Sequence, residues 1–236
     1  MKKLASALLL FSATSFVSPA FALLIINEVD YDQPSTDTAE FIELFNQDTV
    51  SINLSSYSID LINGNNNGDS IYRTIALPSF NLAAGGYFII CTDNNTVLNC
   101  DLEETASSFG LIQNGSPDAI ALLQNNTLID SLSYEGDTAS PYTEGSGSGL
   151  ADNPGQAYMG LSLWPNGVTS NQNNLDFIFS CITPGMQNTN QSSNCLEPVT
   201  VITAQVPAPP SIYLLGLGLL GLVRHKRKKT CPRRQS

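Results

Sequence analysis

Carboxylates are the most numerous reactive groups in this chain of 236 residues, with 21 Asp plus Glu against 10 Lys plus Arg and 1 His. Glu28, Asp30, Asp32 and Asp37 cluster where the first apolar run gives way to a turn. Hard oxygen ligands suit Ca²⁺, and Asp30-Tyr31-Asp32 has the D-x-D opening of a calcium loop. No complete EF-hand pattern follows, so the cluster reads first as a solvated acidic loop and second as a calcium site. A pair of carboxylates can hydrolyse a glycosidic bond, although in so acidic a chain some pairs meet by chance. His225 and every lysine lie in the terminal segments. Ser–His–Asp, Cys–His and lysine-based catalysis therefore lack their base or nucleophile in the body. Gly145-Ser146-Gly147-Ser148-Gly149 has no lysine behind it to hold a phosphate and reads as linker. The expectation is a non-enzyme with no cofactor. A carboxylate-only extracellular hydrolase and a Ca²⁺-dependent adhesion module are the alternatives.

Thiols form the second set. Cys91 and Cys100 bracket a polar turn, and Cys181 and Cys195 bracket a second one. Zinc is disfavoured by the absence of C-x-x-C spacing and of histidine in the body. In an oxidising compartment disulfides are the default. Four cysteines allow about three pairings, and proximity favours Cys91 with Cys100 and Cys181 with Cys195. Cys231 lies apart, beyond a basic cluster.

The two ends of the chain supply that compartment. Residues 1–22 read as a signal peptide: Lys2 and Lys3, an apolar centre from Leu4 to Val17, and Ala20-Phe21-Ala22 in the form that signal peptidase cuts. At the far end a proline-containing linker spans 196–211, with Val206-Pro207-Ala208-Pro209-Pro210 extended and stiff. An apolar helix is expected over 212–223, followed by a basic cytoplasmic tail over 224–236. Twelve residues at about 1.5 Å each reach about 18 Å, short of a hydrocarbon core of about 30 Å. The segment is thus a marginal permanent anchor. Its basic cluster would stay in the cytoplasm and leave the body outside.

Between these ends the body is acidic throughout. All 21 acids fall between Glu28 and Glu197, and Arg73 is the sole cation there, so the body carries 1 − 21 = −20. Such a surface repels phosphate backbones, and nucleic acid is excluded as a partner. Short apolar runs separated by Asn, Ser, Thr and Gly are the texture of an all-β domain with long loops. Strands are expected at 23–31, 41–45, 51–54, 57–62, 71–75 and 87–91, with a hairpin at 118–134 and a last strand near 175–179.

Several motifs then carry a resemblance. Ile26-Asn27-Glu28-Val29, Glu40-Phe41-Ile42-Glu43-Leu44, Trp164-Pro165-Asn166-Gly167 with Leu175-Asp176-Phe177, and Thr183-Pro184-Gly185-Met186-Gln187-Asn188 stand in the order of bacterial lamin tail domains. The resemblance implies an immunoglobulin-like β-sandwich over 23–195, a fold defined by no reaction. The proline motif, Leu/Gly helix and basic end similarly resemble the PEP-CTERM sorting tail, with Ala208 where that tail has an acid. That resemblance implies an exosortase-type processing enzyme as a partner beside signal peptidase. It also implies delivery to the cell envelope, outer surface or extracellular matrix, with attachment through the C-terminal helix. Exopolysaccharide or another surface protein is the expected ligand.

Overall fold

Strict alternation along Phe41–Asn46 turns Ile42 and Leu44 to one face and Phe41, Glu43 and Phe45 to the other, which suits a strand covered on both sides. Residues 24–34, 37–64, 69–105, 110–147 and 156–199 are described by the computed structural model of the chain. The expected signal peptide, the Val206–Pro210 motif, the apolar helix and the basic tail lie outside these residues. Among the described residues no helix is long and apolar enough to cross a membrane.

Twelve strands follow in order: β1 (Leu24–Asp30), β2 (Phe41–Asn46), β3 (Ile52–Asn53), β4 (Tyr57–Asn63), β5 (Ser70–Ala76), β6 (Asn81–Leu82), β7 (Tyr87–Cys91), β8 (Leu102–Glu103), β9 (Asp118–Gln124), β10 (Thr127–Tyr134), β11 (Met159–Leu163) and β12 (Phe177–Cys181). A six-stranded sheet runs β12-β11-β1-β2-β7-β8 and a four-stranded sheet runs β10-β9-β4-β5, with β3-β6 as a small third pair. All pairings are antiparallel except β7 with β8. The core lies between the two large sheets and joins Ile42, Leu44, Phe88 and Ile90 to Ile59, Leu61, Ile120 and Leu132. A second apolar cluster, Phe41, Ile89, Cys91 and Val97, lies on the other face of β2 and β7. The molecule is therefore a β-sandwich, in agreement with the all-β expectation.

Two local departures have physical reasons. Leu175 and Asp176 belong to a helical turn, Asn173–Asp176, and the last strand starts only at Phe177. Asp176 accepts from Ser170 N, Ser170 Oγ and Gln172 N at 2.6–3.1 Å, which closes that turn. The 51–54 strand shrinks to Ile52–Asn53 because Asn53 caps a 3-10 turn, taking Ser55 N at 3.0 Å.

Both expected disulfides are present, with Cα separations of 5.8 Å for Cys91–Cys100 and 5.2 Å for Cys181–Cys195. Chain entropy assigns loops of this size up to about 3 kcal/mol, and measured values are commonly lower. Peptide mapping without reductant is expected to find only these two linked pairs. Four free thiols in protein recovered from the envelope would refute them.

Candidate functional site

β1 carries one residue more than β2 requires. Ile26 pairs with Leu44 and Glu28 with Glu43, which leaves Asn27 as a bulge. The bulge brings two consecutive polar side chains, Asn27 and Glu28, to the neighbourhood of Glu43. All three are completely buried.

Glu28 accepts from Ser162 Oγ on β11 and from Thr183 N, both at 2.7 Å. Ser180 Oγ on β12 donates onward to Ser162 Oγ at 2.9 Å. Glu43 accepts from Asn27 Nδ2 at 2.7 Å and from Gly185 N at 2.6 Å. Asn188 Nδ2 donates to the carbonyls of Asn27 and Leu163 at 2.8 and 3.0 Å, and Asn188 N donates to Asn166 Oδ1 at 2.8 Å. Asn166 Oδ1 also receives Asn27 Nδ2, and Gly167 N donates to Asn27 Oδ1. Motif residues as far as 161 positions apart in sequence thus meet in one buried polar knot.

The glycines of these motifs are required by the same packing. Gly167 has φ +69°, and a Cβ there would lie 2.5 Å from the Phe45 ring. Gly185 has φ +80°, and its Cβ would meet Asn99. Both combine a left-handed backbone with a close approach, which only glycine tolerates without strain. Asn99 Nδ2 donates to Pro184 O at 2.9 Å, so the Cys91–Cys100 loop also clamps the closing segment.

Burial governs the electrostatics. It raises Glu28 to about 7, against hydrogen bonds from Ser162 and Thr183 that favour the charged form. It raises Glu43 well above the usual carboxylate range, and the charge of Glu28 pushes it further in the same direction. Glu40, which accepts from Leu111 N at 2.5 Å and Ile112 N at 3.3 Å, is raised by burial to about 8. Asp130 bridges the two large sheets by accepting from Ile26 N at 2.6 Å; burial, then the charge of Glu144, raises it. Asp118 takes Gly64 N and Gly115 N at 3.0 Å each. Arg73, the single Lys, Arg or His among the described residues, pairs with Glu104 at 2.5 Å and offsets none of these buried charges by contact.

The calcium candidates are engaged by the protein's own groups. Glu28 belongs to the knot. Asp30 Oδ1 accepts from Gln33 Nε2 at 2.7 Å, and Asp37 Oδ1 accepts from Gln33 N at 3.1 Å. Asp32 is raised by burial and by the charges of Asp37 and Glu135. Among the described residues no group of three or more His, Cys, Asp or Glu is placed to hold a metal ion.

Beside the knot is a cleft of about 230 Å³. Phe41, Val97, Ile182, Pro184 and Tyr158 supply much of its apolar lining, and Asp30 and Glu197 add carboxylates. The chain order does not reveal this cleft, because its lining comes from six separate segments with no spacing rule between them. Asp130 was equally hidden: an acid in an apolar run gives no sign that it will serve a bulged strand across the core.

What the geometry defines is an immunoglobulin-like β-sandwich module whose buried acids hold main-chain amides. The chain belongs to the lamin tail domain family, whose sequence profile matches residues 18–136. Asn166, Thr183, Gly185 and Asn188 lie beyond that match, yet they complete the knot begun by Asn27 and Glu43. A comparison with curated proteins found no match.

Proposed function

We propose that this chain is an exported, non-catalytic module, sorted through a PEP-CTERM-like tail and displayed at the cell surface or in an extracellular matrix, where it binds a partner. The observation that carries the reading is the use of the buried acids. Glu28, Glu40, Glu43, Asp118 and Asp130 each accept at least one backbone amide of the chain itself. Groups so committed brace a scaffold; a general acid or base needs a proton path to a substrate. Export is supported by the two disulfides and by a body of charge −20.

Display through the tail has a direct test. One epitope is placed between Val199 and Thr200 and another after Ser236, in a host with an active exosortase. Processing within Val206–Lys229 separates the two, and exported protein keeps only the first. If both epitopes stay on one membrane-bound chain, the tail is a plain anchor. If both stay in the cytoplasm, export fails as well.

A further inference from the structure

We propose that a proton shared between Asp130 on β10 and Glu144 in the 135–147 loop latches that loop over the four-stranded sheet, and that the latch loosens as pH rises.

The latch is a pair of acids in direct contact. The Glu144 carboxyl hydrogen-bonds to the Asp130 carboxyl. Two ionised carboxylates are acceptors only, so the bond exists only while one of them keeps a proton. Asp130 is 6 % exposed and also takes Ile26 N at 2.6 Å, which ties the pair to β1. Glu144 further accepts from Ser131 N. β10 is the end strand of its sheet, so this amide lies on an edge that no strand covers. Asn173 caps the rest of the edge, with Oδ1 taking Ser133 N at 3.1 Å and Nδ2 donating to Ser131 O at 2.8 Å. Glu144 and Asn173 thus stand where a further strand would pair. They also hold each other: Glu144 N donates to Asn173 Oδ1 at 3.2 Å, and Asn173 N donates to Glu144 O at 3.0 Å.

The loop is fastened unevenly. Its first half is held by groups that do not titrate: Ser133 Oγ donates to Gly136 O at 2.8 Å and accepts from Thr138 N at 3.0 Å. The return limb, 142–147, depends on Glu144 and Asn173. Tyr142 of that limb packs on the cluster of Ile62, Ala119 and Ala121 on the outer face of the sheet. Ser131 pairs with Ala121 and so shares that face, yet its Oγ is buried with no hydrogen-bond partner among the described residues. A buried hydroxyl without a partner disfavours the closed loop, because water satisfies it once the edge opens.

No neighbouring cation does the work of the proton. Asp176 faces the pair from the helical turn and adds like charge. The other acids of the surrounding elements are engaged elsewhere. Glu135 accepts from Tyr31 Oη, Asp137 from Gly147 N, Asp118 on β9 from Gly64 N and Gly115 N, and Glu28 on β1 belongs to the knot. Arg73, the single Lys, Arg or His among the described residues, is paired with Glu104. Burial raises both acids of the latch, Glu144 to about 7. Above the ordinary carboxylate range the closed loop therefore holds protons that the open loop gives up. Each proton released favours opening by about tenfold per pH unit.

The test is hydrogen–deuterium exchange of the full chain in detergent solution, read by mass spectrometry and corrected for intrinsic exchange rates. Peptides over 142–147 and 172–175 report the limb through the amides of Glu144, Asn173 and Asn174. Peptides over 183–188 report the knot. Between about pH 5.5 and 7.5 the limb is expected to lose at least about tenfold in protection, and more than the knot loses. Glu144→Gln and Asp130→Asn each put an amide hydrogen where the shared proton stood. In either variant the loss at the limb should shrink to less than about threefold, while the knot keeps the pH dependence of the parent. Constant protection of the limb across this range overturns the proposal. Equal losses in limb and knot overturn it in favour of opening of the whole domain. A parallel fall in the parent and the amide variants overturns it as well. The two variants alter opposite ends of one bond, so either that folds decides the matter. None of these results depends on export or display.

Discussion

Asn188→Ala is expected to destabilise the domain by about 4 kcal/mol, because it removes one donor group from two buried carbonyls at once. Asn188 is 2 % exposed, and its Nδ2 serves both Asn27 O and Leu163 O. A buried polar group left without a partner costs about 1–3 kcal/mol, and here two are left. Alanine adds a small cavity where the amide stood. A domain of this size melts about 2–4 °C lower per kcal/mol, so the midpoint should fall by roughly 8–16 °C. Trp164, the single tryptophan, adjoins Leu163 and reports the transition by its fluorescence. Asn188→Asp should be no milder, since it keeps the size and loses both donors while placing a third acid beside Glu28 and Glu43. A loss below 1 kcal/mol for Asn188→Ala would mean that the closing segment is held by packing alone.

The knot also marks how far the sequence could be read. Each of its motifs was visible as a string: I-N-E-V at 26–29, F-I-E-L at 41–44, P-N-G at 165–167 and T-P-G-x-x-N at 183–188. Their order pointed to a family and a sandwich. What the strings did not contain was the reason for Glu28 and Glu43. As letters Glu28 read as part of a solvated acidic loop or a calcium cluster, and Glu43 as no more than a motif position. In the structure they are fully buried, because the closing segment covers the face of the sheet to which alternation turns Glu43. Alternation specifies which residues share a face; it does not specify whether a later segment covers that face.

The disulfides were legible for the opposite reason. Both are local, with separations of 9 and 14 residues, so chain proximity alone selected the pairing. The short strands β6, β8 and β11 were not. Two of them are only two residues long, too short for any period to show. β11, Met159–Leu163, is buried throughout and contains Gly160, which weakens a strand signal. Gly160 is nevertheless required, since a Cβ there would lie 2.5 Å from Val29 O on the neighbouring strand.

Stability is expected to fall steadily as pH rises from about 4.5 to 8. Glu28, ordinarily 4.5, is raised to about 7, and Glu40 from 4.5 to about 8, both chiefly by burial. Glu43, Asp118 and Asp130 are shifted in the same direction, also chiefly by burial. Over this window the folded chain binds more protons than the unfolded chain, so the free energy of unfolding decreases with pH. Between its unfolded and its raised folded pKa each group contributes a slope that approaches about 1.4 kcal/mol per pH unit. Below about 4.5 the glutamates are protonated in both states and their penalty vanishes. No lysine or histidine of the body titrates to oppose the trend. Glu28→Gln isolates one component. The amide nitrogen can donate to Ser162 Oγ while its oxygen accepts from Thr183 N, and Thr183 Oγ1, which also reaches Glu28 Oε1 at 3.3 Å, keeps Asn188 Oδ1 at 3.1 Å. It also frees Glu43 from a neighbouring charge. Urea unfolding of the two chains should give nearly equal stability at pH 4.5 and a shallower fall between pH 5 and 7 for the variant, which overtakes the parent by pH 8. Parallel curves would show that Glu28 is ionised in the folded protein across the whole range, and that the knot holds its charge without a cation.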